Sequence, residues 1–223
     1  MTKSFSWSYT ALAQFEQCPL RYKLQRVTKQ VKDSDSAASL WGKRVHSSLD
    51  AYLSKDVPLP EGMQQHQVLA DKIKARPGKR YSEQQLALNS SYEPTKWFGA
   101  DAWVRGVVDV SIKTPSGERM FMGDWKTGAR KEDVPQLKLF AGIGFAHWPT
   151  VQTITTAYIW LKEGMVDAKT FTRDQVPEIW SEFLPRVRRI ELAIANDKFP
   201  PKPSGLCRKH CPVGKVFCEH CGT

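Results

Sequence analysis

The chain has 223 residues, 41% of them hydrophobic, which is enough to bury one substantial core or one domain with helical additions. Its 33 Lys and Arg residues against 23 Asp and Glu residues leave a net charge of +10, which suits a polyanionic partner. There is no apolar run of about eighteen residues and no basic and then apolar leader, so we expect no membrane span, no signal peptide and a cytoplasmic location.

The first part of the chain, residues 1–80, has the pattern of a helical region. Apolar residues recur at helical spacing over about residues 8–30 and over about 37–54, and a shorter helix is predicted around 62–75. The polar segment VKDSDSAAS separates the first two helices, and an Arg-Pro-Gly sequence ends the third.

The middle part, residues 81–173, begins with strand patterns. Strands are predicted near residues 81–90, 101–113 and 119–125, and a short turn joins the last two. A helix from Val134 to His147 follows, and then the interior strand TITTAYIWL and the edge strand VDAKTFT. Because a helix separates two strands, we expect it to cross over the sheet.

The last part, residues 174–223, contains a long predicted helix from Asp174 to about Asn196 and then a cysteine-rich end. Together the three parts predict an α/β protein with a mixed central sheet flanked by helices. We expect one domain over residues 1–223.

Two aspartates and a lysine are predicted to meet on neighbouring strands. Asp124 and Lys126 are two residues apart, so on a strand they project from the same face. Antiparallel pairing through the turn brings Asp109 next to Asp124. Carboxylates in an apolar setting are costly unless a metal or a partner holds them, and Mg²⁺ bound by carboxylates activates water for phosphodiester hydrolysis. A solvated surface pair is the alternative.

A histidine lies beside an apolar stripe on the second predicted helix. Trp41, Val45, Leu49 and Leu53 recur at helical spacing, and His46 is adjacent to them. A histidine in such a place is more often a satisfied core residue than a ligand, and both interpretations stay open on spacing alone.

Four cysteines crowd the C-terminal end as C-x3-C-x6-C-x2-C, and Cys18 stands alone near the start. Metal binding is the common use of such a cluster in a reduced compartment, with disulfides as the alternative. On spacing alone, a tetrahedral zinc site is expected from Cys207, Cys211, Cys218 and Cys221, with His210 and His220 as spare ligands.

The ordered motifs resemble those of the PD-(D/E)xK nucleases, specifically the RecB-like exonuclease branch that includes AddB and the CRISPR-adaptation iron-sulfur nucleases. The resemblance covers nearly the whole chain and therefore implies a restriction-endonuclease-like core with N-terminal helices and a C-terminal cysteine clasp. Asp109 follows Val108 instead of a proline, which favours this branch over the type II restriction enzymes. The matching pieces are Ser6-Trp7-Ser8-Tyr9, Phe15-Glu16-Gln17-Cys18-Pro19, Arg21-Tyr22, Gly42-x-x-x-His46, Glu83, RGVVD ending at Asp109, GDWKTG around Asp124, and Gln136 in QLKLFAG.

The resemblance implies a role for each matching residue. His46, Asp109 and Asp124, with the backbone carbonyl of Trp125, would hold Mg²⁺ or Mn²⁺, and Lys126 would act on the attacking water. Glu83 and Gln136 would support the geometry of metal or substrate.

The resemblance also implies a 4Fe-4S cluster held by one N-terminal and three C-terminal cysteines. Cys18, Cys207, Cys211 and Cys218 stand in the matching positions, and Cys221 is an alternative fourth ligand. The spacing of the C-terminal cysteines is wider than is usual in the branch, so structural Zn²⁺ remains the alternative cofactor.

The expected activity is that of a metal-dependent DNA exonuclease of recombination, replication or repair. The expected partners are DNA that is single-stranded or has free ends and a recombination or replication protein, and a phage or mobile-element origin would place the protein in the host cytoplasm. Aromatic and basic residues near the N-terminus, such as Trp7 and Tyr22, fit either single-strand binding or core packing. The alternative function is a non-catalytic DNA-binding or assembly module with a zinc-clasped C-terminus.

Overall fold

The computed structural model describes residues 5–32, 35–131 and 135–222. The chain forms two compact units, which are described separately. We call Met1–Ser6 with Ala37–Ser181 the sheet unit, and Trp7–Ser36 with Glu182–Thr223 the cysteine unit. No helix in the described ranges is long and apolar enough to cross a bilayer.

The sheet unit is built on six strands in the order β2-β1-β3-β4-β5-β6. Only β4 and β5 are parallel neighbours, and all other neighbours are antiparallel, so the predicted mixed sheet is confirmed. The predicted strands all exist, and the short β2 is an addition at one edge. Their bounds are β1 Lys79–Leu88, β2 Pro94–Thr95, β3 Val104–Lys113, β4 Arg119–Lys126, β5 Thr153–Trp160 and β6 Met165–Thr172.

Two helices and a 3-10 turn pack on one face of the sheet. These are α3 (Ala37–Lys55), the 3-10 turn Gln64–His66 and α4 (Gln67–Lys74), close to their predicted bounds. Three members of the predicted stripe on α3 are buried in this core, but Trp41 is 42% exposed, so its inclusion was wrong. Trp41 lies in the second turn of α3, before the stripe reaches the sheet. The buried stripe is Val45, Leu49 and Leu53.

The helix α5 (Pro135–His147) connects β4 to its parallel neighbour β5. The predicted first residue, Val134, lies outside the described residues. Most of α5 is buried, and it packs closely because Gly144 has no side chain: a Cβ there would lie 2.8 Å from Ile154 Cδ1 and 2.9 Å from Met122 Sδ. This close packing fixes the first turn of α5, which contains Gln136, against the sheet.

The cysteine unit begins with a helix that is shorter than predicted. The predicted helix over 8–30 is interrupted at Cys18, whose backbone is extended (φ −161°, ψ 107°). Proline at position 19 disfavours the helical conformation of the residue before it, which is why α1 ends there. Its segments are α1 (Tyr9–Gln17), α2 (Pro19–Tyr22), the π-helix Lys23–Val27, the part of α6 (Val176–Ala195) from Glu182 onward, and α7 (Cys207–His210). The 3-10 turn Arg173–Gln175 and the start of α6 belong to the sheet unit.

The aromatic residues near the N-terminus belong to the core of the cysteine unit. Trp7 is 2% exposed and packs 5.9 Å from Phe183 between ring centroids, and Tyr22 is 4% exposed and contacts Phe15 and Phe199. Of the two interpretations offered by the sequence, core packing is the one that the structure supports.

A charge cluster in the cysteine unit gives a pH-dependent prediction. Arg186 donates two hydrogen bonds, of 2.8 and 2.7 Å, to the Glu16 carboxylate, and Arg189 adds a third at 3.1 Å. The hydrogen bonds from Arg186 hold the pKa of Glu16 below its ordinary value of about 4.5. Because the folded-state pKa is lowered, the stabilisation is present above pH 4.5 and is lost as the pH falls through the folded-state pKa.

Glu16→Gln should therefore lower the free energy of unfolding by about 1 kcal/mol at pH 7, and by much less below the pKa of the folded carboxyl group. Urea unfolding at several pH values measures both differences. The control is Glu191→Gln, since Glu191 pairs with the exposed Arg188 and should contribute less than about 0.5 kcal/mol. An effect of Glu16→Gln that does not change with pH would contradict the account.

Candidate active site

Three donor atoms from three elements converge at the middle of β1 and β3, beside the point where the pairing of β3 with β4 ends. His46 of α3, Glu83 of β1 and Asp109 of β3 each offer a ligand atom, and these atoms all lie within 4.8 Å of one another. The imidazole Nδ1 of His46 is 3.3 Å from Asp109 Oδ1. Asp109 is buried, whereas Glu83 is exposed on the cleft that all three residues line.

The convergence depends on a local distortion of β1 and β3. Ser82 pairs with Val110 and Gln84 pairs with Val108, so Glu83 stands opposite Asp109. These two residues do not pair with each other in the ladder. Glu83 has a φ of 46°, a region that glutamate rarely adopts in a strand. On β3, Asp109 contacts α3 through His46, and the next residue, Val110, also packs in the core with α3. Because the alternation of side chains between the two faces of the sheet is interrupted here, the carboxylates of Glu83 and Asp109 both lie toward α3.

The approach of α3 to the loop after β4 requires a small residue on α3. Gly42 lies one turn before His46, and a Cβ at Gly42 would lie 3.3 Å from Thr127 Oγ1, in the loop after β4. That distance is already tight, so a larger side chain at Gly42 would push α3, and His46 with it, away from Asp109.

A second group of polar residues lies at the end of β4. Lys126 Nζ is 2.5 Å from Asp124 Oδ2 and donates to Gln136 Oε1 at 3.3 Å. The amide nitrogen of Gln136 donates in turn to Asp124 Oδ1 at 3.3 Å. The hydroxyl of Tyr158 donates to Gln136 Oε1 at 3.2 Å, and its ring centroid lies 4.9 Å from the ammonium of Lys126.

Asp109 joins the two groups. The ladder between β3 and β4 ends at Val110 and Gly123, one residue before the two aspartates. Beyond it, the backbone N–H of Trp125 donates to Asp109 Oδ2 at 2.7 Å, so a side chain replaces a ladder hydrogen bond. Asp109 therefore has one oxygen near His46 and the other fixed to the strand that carries Asp124 and Lys126.

The charges of the carboxylates around Asp109 favour a bound cation. Burial raises the pKa of Asp124 to about 6, partly offset by the charge of Lys126 and reinforced by that of Asp109. Burial and the charge of Asp109 raise the pKa of Glu83. Burial lowers the pKa of His46, but its hydrogen bond with Asp109 and the nearby carboxylates outweigh burial, and the net pKa is raised. Crowded carboxylates with raised pKa values are stabilised by a bound cation.

The donor chemistry fits a divalent metal. Carboxylate oxygens suit Mg²⁺ and Mn²⁺, and one imidazole is compatible with Mn²⁺ and related ions. His46, Glu83 and Asp109 are a possible acidic metal site. Asp124 lies in the adjoining group with Lys126, and a metal contact by Asp124 or by the Trp125 carbonyl stays a prediction.

The structure places His46, Glu83 and Asp109 in one group and Asp124, Lys126 and Gln136 in the adjoining group, to which it adds Tyr158. The sequence marked position 158 only as part of an interior strand. Its contact with Gln136 depends on the parallel register in which Tyr158 pairs with Asp124. The signal for Tyr158 that the sequence offered was the alternating pattern TITTAYIWL directly after the predicted crossover helix.

The five cysteines of the cysteine unit all line one cavity, and all are free thiols. Cys18, Cys207, Cys211 and Cys218 are half-buried and Cys221 is buried. Burial, together with hydrogen bonding to Cys211 and Cys218, raises the pKa of the Cys221 thiol to about 12. His210 and His220 also line the cavity.

Two metal groups take a set of four thiolates. A zinc ion holds four sulfur atoms about 2.3 Å away in a tetrahedron, and four thiolates are also the ligand set of a 4Fe-4S cluster.

Comparisons with known proteins agree with the fold. The family model of the PD-(D/E)XK nuclease superfamily matches residues 6–219. A solved structure named "Putative exonuclease", from Eubacterium rectale, is similar with a TM-score of 0.54 and 14% identity, over 91% of this chain and 85% of that one. A second, of the protein SSO0001, gives a TM-score of 0.46 at 14% identity, over 100% of this chain and 90% of that one. At such identities the likeness concerns the fold alone. The search of curated proteins found no significant match.

Proposed function

Because the chain belongs to the PD-(D/E)XK nuclease superfamily, we propose that it is a Mg²⁺- or Mn²⁺-dependent deoxyribonuclease that removes nucleotides from DNA ends. The observation that carries the proposal is the adjacency of two groups: a set of His46, Glu83 and Asp109 that can bind a metal, and the ion pair of Asp124 with Lys126. Asp109 connects the two groups through its hydrogen bond from Trp125 N–H.

When bound, the metal would neutralise charge on the phosphate and lower the pKa of a water molecule. We assign His46, Asp109 and Asp124 as metal-binding side chains, with the Trp125 carbonyl as a further ligand and Glu83 as a supporting carboxylate. Lys126 would hydrogen-bond to the attacking water or to the phosphate oxygens, whose negative charge grows in the transition state.

Gln136 and Tyr158 are positioning residues in this account. The Gln136 side chain bridges Asp124 and Lys126, and Tyr158 donates to the same amide oxygen that accepts from Lys126. Together they would hold the ammonium beside Asp124, so that it does not swing away.

Tyr158→Phe removes one hydroxyl and retains the ring beneath Lys126. We expect a loss of about 3- to 10-fold in the rate of DNA cleavage, as for the loss of one hydrogen bond in a positioning network, with metal affinity unchanged. Cleavage rates under saturating substrate and metal titration by calorimetry measure the two quantities. Unchanged cleavage, or an equal loss of metal affinity, would contradict the positioning role.

For the cysteine cavity, we propose a structural 4Fe-4S cluster held by Cys18, Cys207, Cys211 and Cys218. One observation supports this choice over zinc: Cys18 lines the same cavity as the C-terminal cysteines, as a ligand set that includes Cys18 requires. The cluster would join the two ends of the cysteine unit. Phosphodiester hydrolysis transfers no electrons, so its role would be structural.

The motif resemblance supports three wider proposals. We place the chain in the RecB-like branch and infer that it acts on single-stranded or free DNA ends during recombination, replication or repair. A phage or mobile-element origin, a partner protein of that machinery and a cytoplasmic location follow from the same resemblance.

The metal requirement tests the proposed function. End-labelled single- and double-stranded DNA would be incubated with the protein in Mg²⁺, in Mn²⁺ and in EDTA, with labelled RNA as a comparison. We expect release of the label with either metal and none in EDTA. His46→Ala should require a higher Mn²⁺ concentration for half-maximal release, whereas metal-independent release would contradict the assignment.

A further inference from the structure

The loop between β2 and β3 holds an aromatic side chain out in solvent. Phe98 is 85% exposed, far more than a phenylalanine usually is. Single exposed apolar residues are ordinary on protein surfaces, so exposure alone indicates nothing. The structure of the loop and its position relative to the candidate active site are the informative features.

The loop that presents Phe98 is fixed by its own hydrogen bonds. The N–H of Gly99 donates to Lys96 O at 2.8 Å, the N–H of Ala102 donates to Gly99 O at 3.1 Å, and the hydroxyl of Thr95 donates to Asp101 at 2.7 Å. A Cβ at Gly99 would lie 2.7 Å from Asp101 Oδ1, so the turn is tightly closed. The backbone that carries Phe98 is therefore fixed, which lowers the entropic cost of a contact.

A positive charge lies beside this loop. The guanidinium carbon of Arg105 is 5.7 Å from the ring centroid of Trp97, and the exposed Lys96 precedes Trp97 in the chain. Within the residues that the structure describes, Arg105 forms no ion pair with a carboxylate, and its Nε is buried without a hydrogen-bond partner. Its guanidinium charge therefore has no carboxylate partner among these residues.

Arg105 lies on β3, the strand that carries Asp109. Pairing of β3 with β1 is regular from Val104 to Val108, so Arg105 and Val107 share one face. Val107 is 38% exposed and lines the same cleft as Asp109. Four residues of strand place Arg105 about 13 Å from Asp109, a length that a few nucleotides of an extended single strand span.

We propose that Phe98, Trp97 and Arg105 bind the part of a single-stranded nucleic acid that lies a few nucleotides from the scissile phosphate. We call this group the aromatic track. A base would stack on Phe98 and a phosphate would contact Arg105, and the cation–π contact would keep the guanidinium beside the track. This inference rests on the proposed function, since it takes the cleft around Asp109 as the place of cleavage.

The test measures binding without cleavage. Fluorescence anisotropy of dye-labelled dT12 in EDTA gives the affinity of each variant. Phe98→Ala should weaken binding about 10-fold, the effect of one lost base stack, whereas Phe98→Tyr should bind within about 2-fold of the unchanged protein. Arg105→Gln should reduce the slope of log affinity against log salt by about 1. The matched control is Val68→Ala, which removes a 64% exposed apolar side chain on α4 and should change nothing.

The binding and cleavage results test the aromatic track and the nuclease separately. If the unchanged protein does not bind dT12, or if Phe98→Ala and Arg105→Gln both bind it unchanged, the track is wrong, and a Phe98 contact with a protein partner becomes the better interpretation. Weakened binding by Phe98→Ala in a protein that cleaves nothing in Mg²⁺ or Mn²⁺ would support the track and reject the nuclease. Normal cleavage of DNA, together with unchanged binding of dT12 by Phe98→Ala and Arg105→Gln, would support the nuclease and reject the track.

Discussion

Lys126→Met is expected to reduce metal-dependent DNA cleavage by about 10³-fold. Methionine keeps most of the length and volume of the side chain and removes only the ammonium group. In the proposed mechanism that group acts on the attacking water or on the transition-state phosphate, and the loss of one such donor typically costs 10²- to 10³-fold, with more when a proton is also transferred. Initial rates on end-labelled DNA at saturating Mn²⁺ measure the effect.

The ion pair with Asp124 complicates this prediction. Asp124 is buried, so removal of Lys126 leaves its carboxylate without the charge that offsets burial. We expect the pKa of Asp124 to rise further in Lys126→Met and the protein to lose some stability in the absence of metal. Circular dichroism and thermal unfolding must therefore accompany the rates.

Two further variants separate catalysis from folding. Lys169→Met removes an exposed lysine from the edge strand β6 and should leave the rate unchanged. Asp124→Asn removes the buried charge and should be at least as stable as the unchanged protein without metal, yet inactive. A folded Lys126→Met protein that retains more than about a tenth of the activity would contradict the role given to Lys126.

Cys18→Ser is expected to remove the iron-sulfur cluster and to destabilise the cysteine unit. The two candidate ligand sets share three cysteines and differ only in the fourth, which is Cys18 for the cluster and Cys221 for zinc. Each single substitution therefore tests one set. The measurements are iron and zinc per chain by elemental analysis, visible absorbance of protein purified without oxygen, and the thermal midpoint.

The cluster assignment predicts a clear asymmetry between these variants. The unchanged protein and Cys221→Ser should be brown and contain about four iron atoms per chain. Cys18→Ser should be colourless and should unfold at a lower temperature, because the metal no longer joins the ends of the unit. Colourless protein with one zinc per chain, lost in Cys221→Ser and kept in Cys18→Ser, would show that zinc is the cofactor.

Much of the fold was predictable because its signals are local. The apolar and alternating patterns of β3 and β4, with a turn between them, predicted a hairpin and the proximity of Asp109 and Asp124. The helical spacing on α3 placed His46 beside the apolar stripe, three members of which pack in the core against the sheet. The break at Cys18 was also a local signal, since Pro19 follows it, and the predicted helix over 8–30 overlooked it.

The features that escaped prediction depend on contacts distant in sequence. The left-handed backbone of Glu83 and the interrupted alternation at Asp109 exist because β1, β3 and α3 meet there, and no local pattern encodes that meeting. Tyr158 reaches Gln136 only through the parallel register of β4 and β5. The Trp97–Arg105 contact and the exposure of Phe98 likewise required the closed loop before β3.

The most direct test of the central claim compares a linear single-stranded DNA with a circular one of the same length and composition. Both would be incubated with the protein in Mg²⁺ or Mn²⁺, alongside EDTA samples and the Asp124→Asn variant. A metal-dependent exonuclease should degrade the linear DNA and leave the circle intact, and neither EDTA nor Asp124→Asn should allow degradation. Cutting of the circle would contradict action at DNA ends, and intact linear DNA under every metal condition would contradict the nuclease itself.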